Sequence, residues 1–233
     1  DFLLGTCGAA NQRGGEYQLD GQARFVDYAH TADVILVAAS NGLFAVPRAT
    51  RGVTPTPLVT IDETRRPCEL RLRAVRLPAT AYLGRAPAAV GRARDAAAVA
   101  IAADSLGGAD RALELAVEYV KVREQFGRAV GSFQAVQHMA AEAVARIEPA
   151  RALLWYAAWA FDARPREAPL AAAMAKARCT DVFRDVARTS IEMHGGIGFT
   201  WEHDIHLYWK RALANWSAFG DAHAHRARVA DLA

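Results

Sequence analysis

The sequence predicts an α+β fold: an antiparallel β-domain over residues 1–90, then a C-terminal four-helix bundle over residues 91–233. Three observations predict it. Up to about residue 90, short stretches alternate apolar and polar side chains between turn-forming residues, the period of a strand with one wet face. From Arg92 onward, apolar residues recur at steps of three and four, the period of one buried helix face. In that second half, Pro165, Pro169 and the pair Gly195-Gly196 stand where the helical pattern stops.

In the β half, Glu16 to Val26 alternates around Asp20-Gly21, which reads as a hairpin. Asp33–Ser40 and Gly42–Val46 follow as strands separated by Asn41-Gly42, and a loop is expected around Pro55 and Pro57. Cys68–Leu77 is the next strand. Its Glu69, Arg71 and Arg73 fall on the face opposite Leu70 and Leu72, so one face is solvated. Helices are expected at roughly 92–125, 133–162, 168–193 and 202–218, with a short one at the end. Leu106, Ala109, Leu113, Ala116 and Val120 mark the buried face of the first. Phe133, Val136, Ala140, Ala143, Ile147, Ala150, Leu154, Ala157 and Phe161 mark that of the second. Gly107-Gly108, at roughly 1 kcal/mol per glycine inside a helix, implies a close helix crossing, and Pro149 should kink the second helix.

With 52% hydrophobic and 23% charged residues in 233, the chain is an ordinary globular one. The net charge of +3 comes from basic residues interspersed with acids, so neither a nucleic-acid nor a membrane partner is implied. Cys7, Cys68 and Cys179 are too scattered for a zinc site or a disulfide framework, which points to a reducing, cytoplasmic location. No apolar run is long enough to span a bilayer. The chain begins without Met inside a strand-like stretch, as if its front were missing.

Between the first two helices, Arg123-Glu-Gln-Phe-Gly-Arg-Ala-Val-Gly-Ser-Phe-Gln134 interrupts the helical pattern with a guanidinium, two glycines and an amide. Such groups suit a phosphate-bearing ligand, because Arg forks onto phosphate oxygens and Gly lets backbone N–H groups approach. The plainer reading is a connecting loop whose Gly127 and Gly131 end and restart helices. The Arg-x-x-Phe-Gly pattern followed by Phe-Gln resembles the flavin-binding turn of the acyl-CoA dehydrogenase family. Met193-His-Gly-Gly-Ile-Gly-Phe199 resembles that family's second cofactor segment, at the expected distance downstream.

The resemblance implies FAD as cofactor. Arg123 would contact its pyrophosphate, Phe126 would pack near its adenosine half, Gln134 would hydrogen-bond it, and Gly195 and Gly196 would offer backbone contacts. In the family these groups serve a flavin held mainly by the neighbouring subunit, so oligomerisation is part of the site. Glu192 stands where the family commonly has Gln, and its charge suits phosphates poorly. Phe25-Val26-Asp27 stands in place of a Trp-Ile-Thr that covers and hydrogen-bonds the flavin ring. The family's N-terminal helical domain and the loop before its first strand are not seen in this sequence.

The implied reaction is α,β-dehydrogenation of an acyl-CoA thioester, with an electron-transfer flavoprotein as electron acceptor. A carboxylate takes the α-proton in that reaction. Counted without a gap from Gly195-Gly196, the usual catalytic Glu falls on Phe219, and the family's alternative location falls on Ala97. Neither can take a proton. Asp221 and Asp95 lie two residues away. Two principal readings follow: a non-catalytic subunit whose homologous partner supplies the base, as in bacterial complexes acting on thioesters with bulky, including sterol-derived, groups, or a self-sufficient enzyme using Asp221. A flavin-free structural relative is a third. No metal is expected: His203 and His206, with Glu202 beside them, read as solvated or hydrogen-bonded polar groups of a helix, and His223 and His225 point to different faces. The five tryptophans read as core and interface aromatics. Gly196-Ile-Gly198 follows a helix, so it is not a dinucleotide loop of the strand-to-helix kind.

Overall fold

The computed structural model describes residues 10–13, 15–85 and 87–233, and the chain divides into two compact units, residues 1–94 and 95–233. Cys7 and the strand-like start of the chain lie outside the described residues.

In the first unit, strands β1 (Asn11–Arg13), β2 (Glu16–Asp27), β6 (Pro67–Pro78) and β5 (Val53–Pro57) form one antiparallel sheet in the order β1-β2-β6-β5. Strands β3 (Val34–Ala39), β4 (Gly42–Pro47) and β7 (Tyr82–Gly84) form a second. Leu19 and Val26 of β2, Phe44 of β4 and Leu72 of β6 belong to one shared core. Ser40 and Asn41 alone join β3 to β4, since Ala39 pairs with Gly42.

Two expectations are corrected here. Asp20-Gly21 makes no hairpin: it lies inside β2, which runs on through two bulges. The Asp20 carboxylate instead accepts a 2.6 Å bond from the Ala74 N–H on β6, where Ala74 takes a left-handed φ of 48°. That irregularity resets the alternation, so the buried residues of β6 shift from Leu70 and Leu72 to Val75 and Leu77. The proline-rich stretch at Pro55 and Pro57 is not a loop but the edge strand β5, the one place in a sheet where a missing N–H leaves no ladder bond broken.

The second unit holds helices α1 (Pro87–Val122, beginning in the first unit), α2 (Gln134–Ala163), α3 (Ala168–His194), α4 (Ile205–Ser217) and α5 (Ala222–Leu232). The expected stripe of α1 is buried throughout, from Leu106 to Val120. Leu106, Ala109 and Leu113 share a core with Ala143, Ile147, Ala150 and Ala157 of α2 and with Phe183 and Val186 of α3. Gly108 explains half of the glycine pair: a Cβ there would lie 2.4 Å from the Phe183 ring, whereas one on Gly107 would meet nothing within 4 Å. α2 stays helical through Pro149. Arg151 to Asp110 and Arg146 to Asp185, both at 2.8 Å, tie α2 to α1 and α3.

Candidate functional site

The connection from α1 to α2 is a miniature β-hairpin. Glu124–Gln125 (β8) pairs with Arg128–Ala129 (β9), and Phe126-Gly127 is left as a two-residue turn with φ of 55° and 76°. Positive φ at both centres is what a turn matched to strand twist requires. Gly127 therefore serves the turn. Gly131 serves packing, because a Cβ on it would come 3.1 Å from the Val120 carbonyl oxygen.

Around this tip the side chains are turned outward. Phe126 is 92% exposed and meets Phe133 edge-on at 6.2 Å, while the Arg128 guanidinium lies over the Phe133 ring at 3.9 Å. Arg123 and Gln134 are exposed, and among the described residues neither side chain has a hydrogen-bond or ionic partner. Arg128 was not singled out from the sequence. Its position two residues past Phe126 is the only signal that marked it.

The second motif lies beside the first. α3 ends at His194, and Gly195, with φ of 65°, gives its N–H to the Ile191 and Glu192 carbonyls. Met193 shares an apolar cluster with Val120, Val130 and Val136, and His194 stacks on Tyr119 at 4.6 Å, so both motifs sit at one end of the helical unit. Gly195 and Gly196 are exposed, and a Cβ on either would meet nothing, so packing within this chain does not require glycine there. Gly198 differs, since a Cβ would come 2.9 Å from the Ile191 oxygen. Glu192 is exposed and pairs with Arg188 at 3.4 Å, which offsets part of its charge.

Phe219, Asp221 and Asp95 form a separate locus. Phe219 and Gly220 join α4 to α5 with φ of 59° and 94°. Asp221 is the N-cap of α5: its carboxylate accepts from the Ala224 N–H at 2.8 Å, and that bond holds it below the usual carboxylate range. Asp95 is buried and bound to Arg228 at 2.5 Å. Lys176, which the sequence reading passes over, and His225, read there only as facing away from His223, complete this locus. Lys176, fully buried, reaches the Gly220 and Trp216 oxygens at 3.0 and 3.4 Å, and His225 Nε2 lies 3.0 Å from the Phe219 oxygen. Lys176 was detectable, because it stands four residues after Ala172 and seven before Phe183, on the buried stripe of α3.

In the first unit, Phe25 has a φ of 58° and is 56% exposed, Val26 is buried, and Asp27 accepts from Arg65 at 3.2 Å. Phe25, Phe126 and Phe219 are thus three of the five described non-glycine residues at positive φ. Each costs about 1–3 kcal/mol of backbone strain, of the kind that collects at functional sites. No trio of His, Cys, Asp or Glu that could hold a metal occurs among the described residues.

Residues 88–232 match the family model described as acyl-CoA dehydrogenase, C-terminal domain. The chain belongs to the acyl-CoA dehydrogenase family. It is 39% identical over 188 residues to acyl-CoA dehydrogenase IpdE2 of Mycobacterium tuberculosis, covering 80% of this chain and 54% of that protein. The solved ChsE4-ChsE5 complex of M. tuberculosis superposes with a TM-score of 0.87 at 28% identity, over 99% of this chain and 65% of that one. The Tcur3481-Tcur3483 steroid acyl-CoA dehydrogenase gives 0.86 at 34% identity, over 97% and 62%. The chain therefore spans between about half and two thirds of the length of these relatives. Among the described residues, no helix is long and apolar enough to cross a membrane.

Proposed function

We propose that this chain is a subunit of an FAD-dependent acyl-CoA dehydrogenase that desaturates a bulky acyl-CoA thioester, and that a homologous partner chain supplies the catalytic base. The observation that carries the reading is the turn at Phe219. Counted without a gap from Gly195-Gly196, the family's carboxylate falls on a side chain that cannot accept a proton, and both nearby carboxylates are occupied, Asp221 in capping α5 and Asp95 in pairing with Arg228.

The residues at the hairpin suit a flavin dinucleotide. Arg123 and Gln134 have no partners among the described residues, and the exposed backbone at Gly195-Gly196 can be approached closely. Arg123 would grip a diphosphate, Phe126 would cover an adenosine face, and Gln134 would offer both a donor and an acceptor. A flavin, when bound, accepts hydride from the β-carbon of the thioester. All of these groups face outward, which favours a cofactor shared with another subunit. The two-chain assemblies named for its structural relatives support a hetero-oligomer.

The test is co-purification of the chain with its partner, with flavin absorbance read on the complex and on the lone chain, followed by turnover of the complex carrying Asp221→Ala. Flavin retained only in the complex, and turnover surviving the substitution, are the expected results. Loss of turnover in Asp221→Ala, with the partner's carboxylates proving dispensable, assigns the base to this chain and ends the proposal.

A further inference from the structure

We propose that Lys176 and His225 are positioning residues that clasp the Phe219-Gly220 turn, and that proton uptake by His225 opens the clasp and frees α5. The inference holds whether or not residue 219 meets a substrate. Two successive left-handed residues, one of them a phenylalanine, persist only where surrounding structure holds them. Here the hold comes from both sides: Lys176 on α3 donates to the Gly220 oxygen, and His225 on α5 donates to the Phe219 oxygen.

A carbonyl only accepts, so His225 Nε2 carries the ring proton and the neutral imidazole leaves Nδ1 bare. That Nδ1 is buried and has no partner among the described residues. A second proton would create a buried N–H with nothing to receive it, on a cation facing another cation, Lys176.

The neighbouring charges do not relieve this. Lys176 is faced by Asp221 and Asp181, and His225 by Lys176, by Arg228 of its own helix and by Asp95 of α1. Asp95 is bound to Arg228, Asp181 to Arg226 and the Trp216 indole, and Asp221 to the cap of α5, where His223 adds an exposed imidazole. Burial pushes the Lys176 ammonium down to about 8. Burial first, and Lys176 second, push the His225 imidazole below its ordinary value.

Both groups therefore bind protons more readily once undocked. The docked state gains stability as pH rises through these windows and loses it as pH falls below the ordinary histidine value.

Hydrogen exchange of the assembled protein, followed in peptides covering residues 218–232 and corrected for intrinsic rates, tests the proposal. Opening should grow by up to about tenfold per pH unit below roughly pH 6.5, the limit for one linked proton, while α2 stays unchanged. His225→Gln keeps a donor for the Phe219 oxygen and removes the titration, so its opening should be flat over that range. Lys176→Met should move the His225 NMR titration upward, and Lys176→Arg should leave it in place. The same pH response in wild type and His225→Gln, or an unmoved titration in a folded Lys176→Met, overturns the proposal. If Lys176→Met does not fold, the His225→Gln comparison decides alone.

Discussion

Arg123 shows what a single residue contributes when its surroundings leave it uncommitted. An exposed guanidinium with no partner among the described residues adds nothing to the stability of this chain, so its removal should be felt only by a ligand. Arg123→Ala is expected to leave the melting temperature of the chain unchanged and to weaken flavin retention by the complex roughly ten- to a hundred-fold. That range corresponds to one charge-assisted hydrogen bond of ~1.5–3 kcal/mol. Equal flavin occupancy in the mutant and parent complexes sinks the assignment. Asp221 separates along the opposite line. Because its carboxylate caps α5, Asp221→Asn, which keeps the cap, should preserve stability and turnover of the complex, and Asp221→Ala should lose a few degrees in melting temperature while still turning over. Much of the hairpin site was legible from residue types alone: a guanidinium, an amide and two glycines between helical stripes. The strain was not. Positive φ at Phe25 is imposed by a bulge against the distant strand β6, and at Phe126 and Phe219 by tight local turns, and nothing in those three residues' side chains announces it.

At the scale of the element, α1 against α3 is where adjacent positions should behave oppositely. Gly107 faces open space, so Gly107→Ala should stabilise the chain by about 1 kcal/mol through helix propensity. Gly108→Ala drives a methyl into the Phe183 ring and should destabilise it by about 1–3 kcal/mol, the usual penalty for overpacking. Chemical denaturation of the two variants measures the difference, and equal effects would remove the close crossing. The helices were readable because a period of three and four, once five or more turns long, has few competing explanations. The strands were less so. Asp20-Gly21 carries the residues of a hairpin turn, yet the long pairing of β2 with β6 overrides that local preference and turns Asp20 into a brace for Ala74. Pro55 carries the residue of a loop, yet an edge position removes the objection to proline. In both cases the deciding information was which strand lies alongside, and that is set by tertiary structure.

At the scale of the whole molecule, α2 carries more apolar surface than its own unit covers. Its stripe of Ala143, Ile147, Ala150 and Ala157 is buried, but Trp155, Tyr156 and Trp159 remain 70%, 40% and 50% exposed, with Tyr156 and Trp159 in ring contact at 5.9 Å. Residues four apart share one side of a helix, so Trp155 and Trp159 present a single aromatic ridge turned away from the buried seam. The same helix begins at Gln134, beside the hairpin whose side chains also face outward. The proposed function has the chain share a cofactor with a neighbour, which needs a surface to hold it, and this ridge is the proposed one. Buried tryptophans at interfaces are commonly worth at least about 2 kcal/mol each, or roughly thirtyfold in affinity. Trp159→Lys is therefore expected to shift the assembly toward smaller species in sedimentation velocity at micromolar concentration, and Trp155→Lys to do the same. Neither should change the thermal unfolding of the dissociated chain, because neither side chain contributes to its core. An assembly that sediments unchanged with both substitutions shows that the partner docks elsewhere, and the ridge must then be explained by something other than this subunit contact.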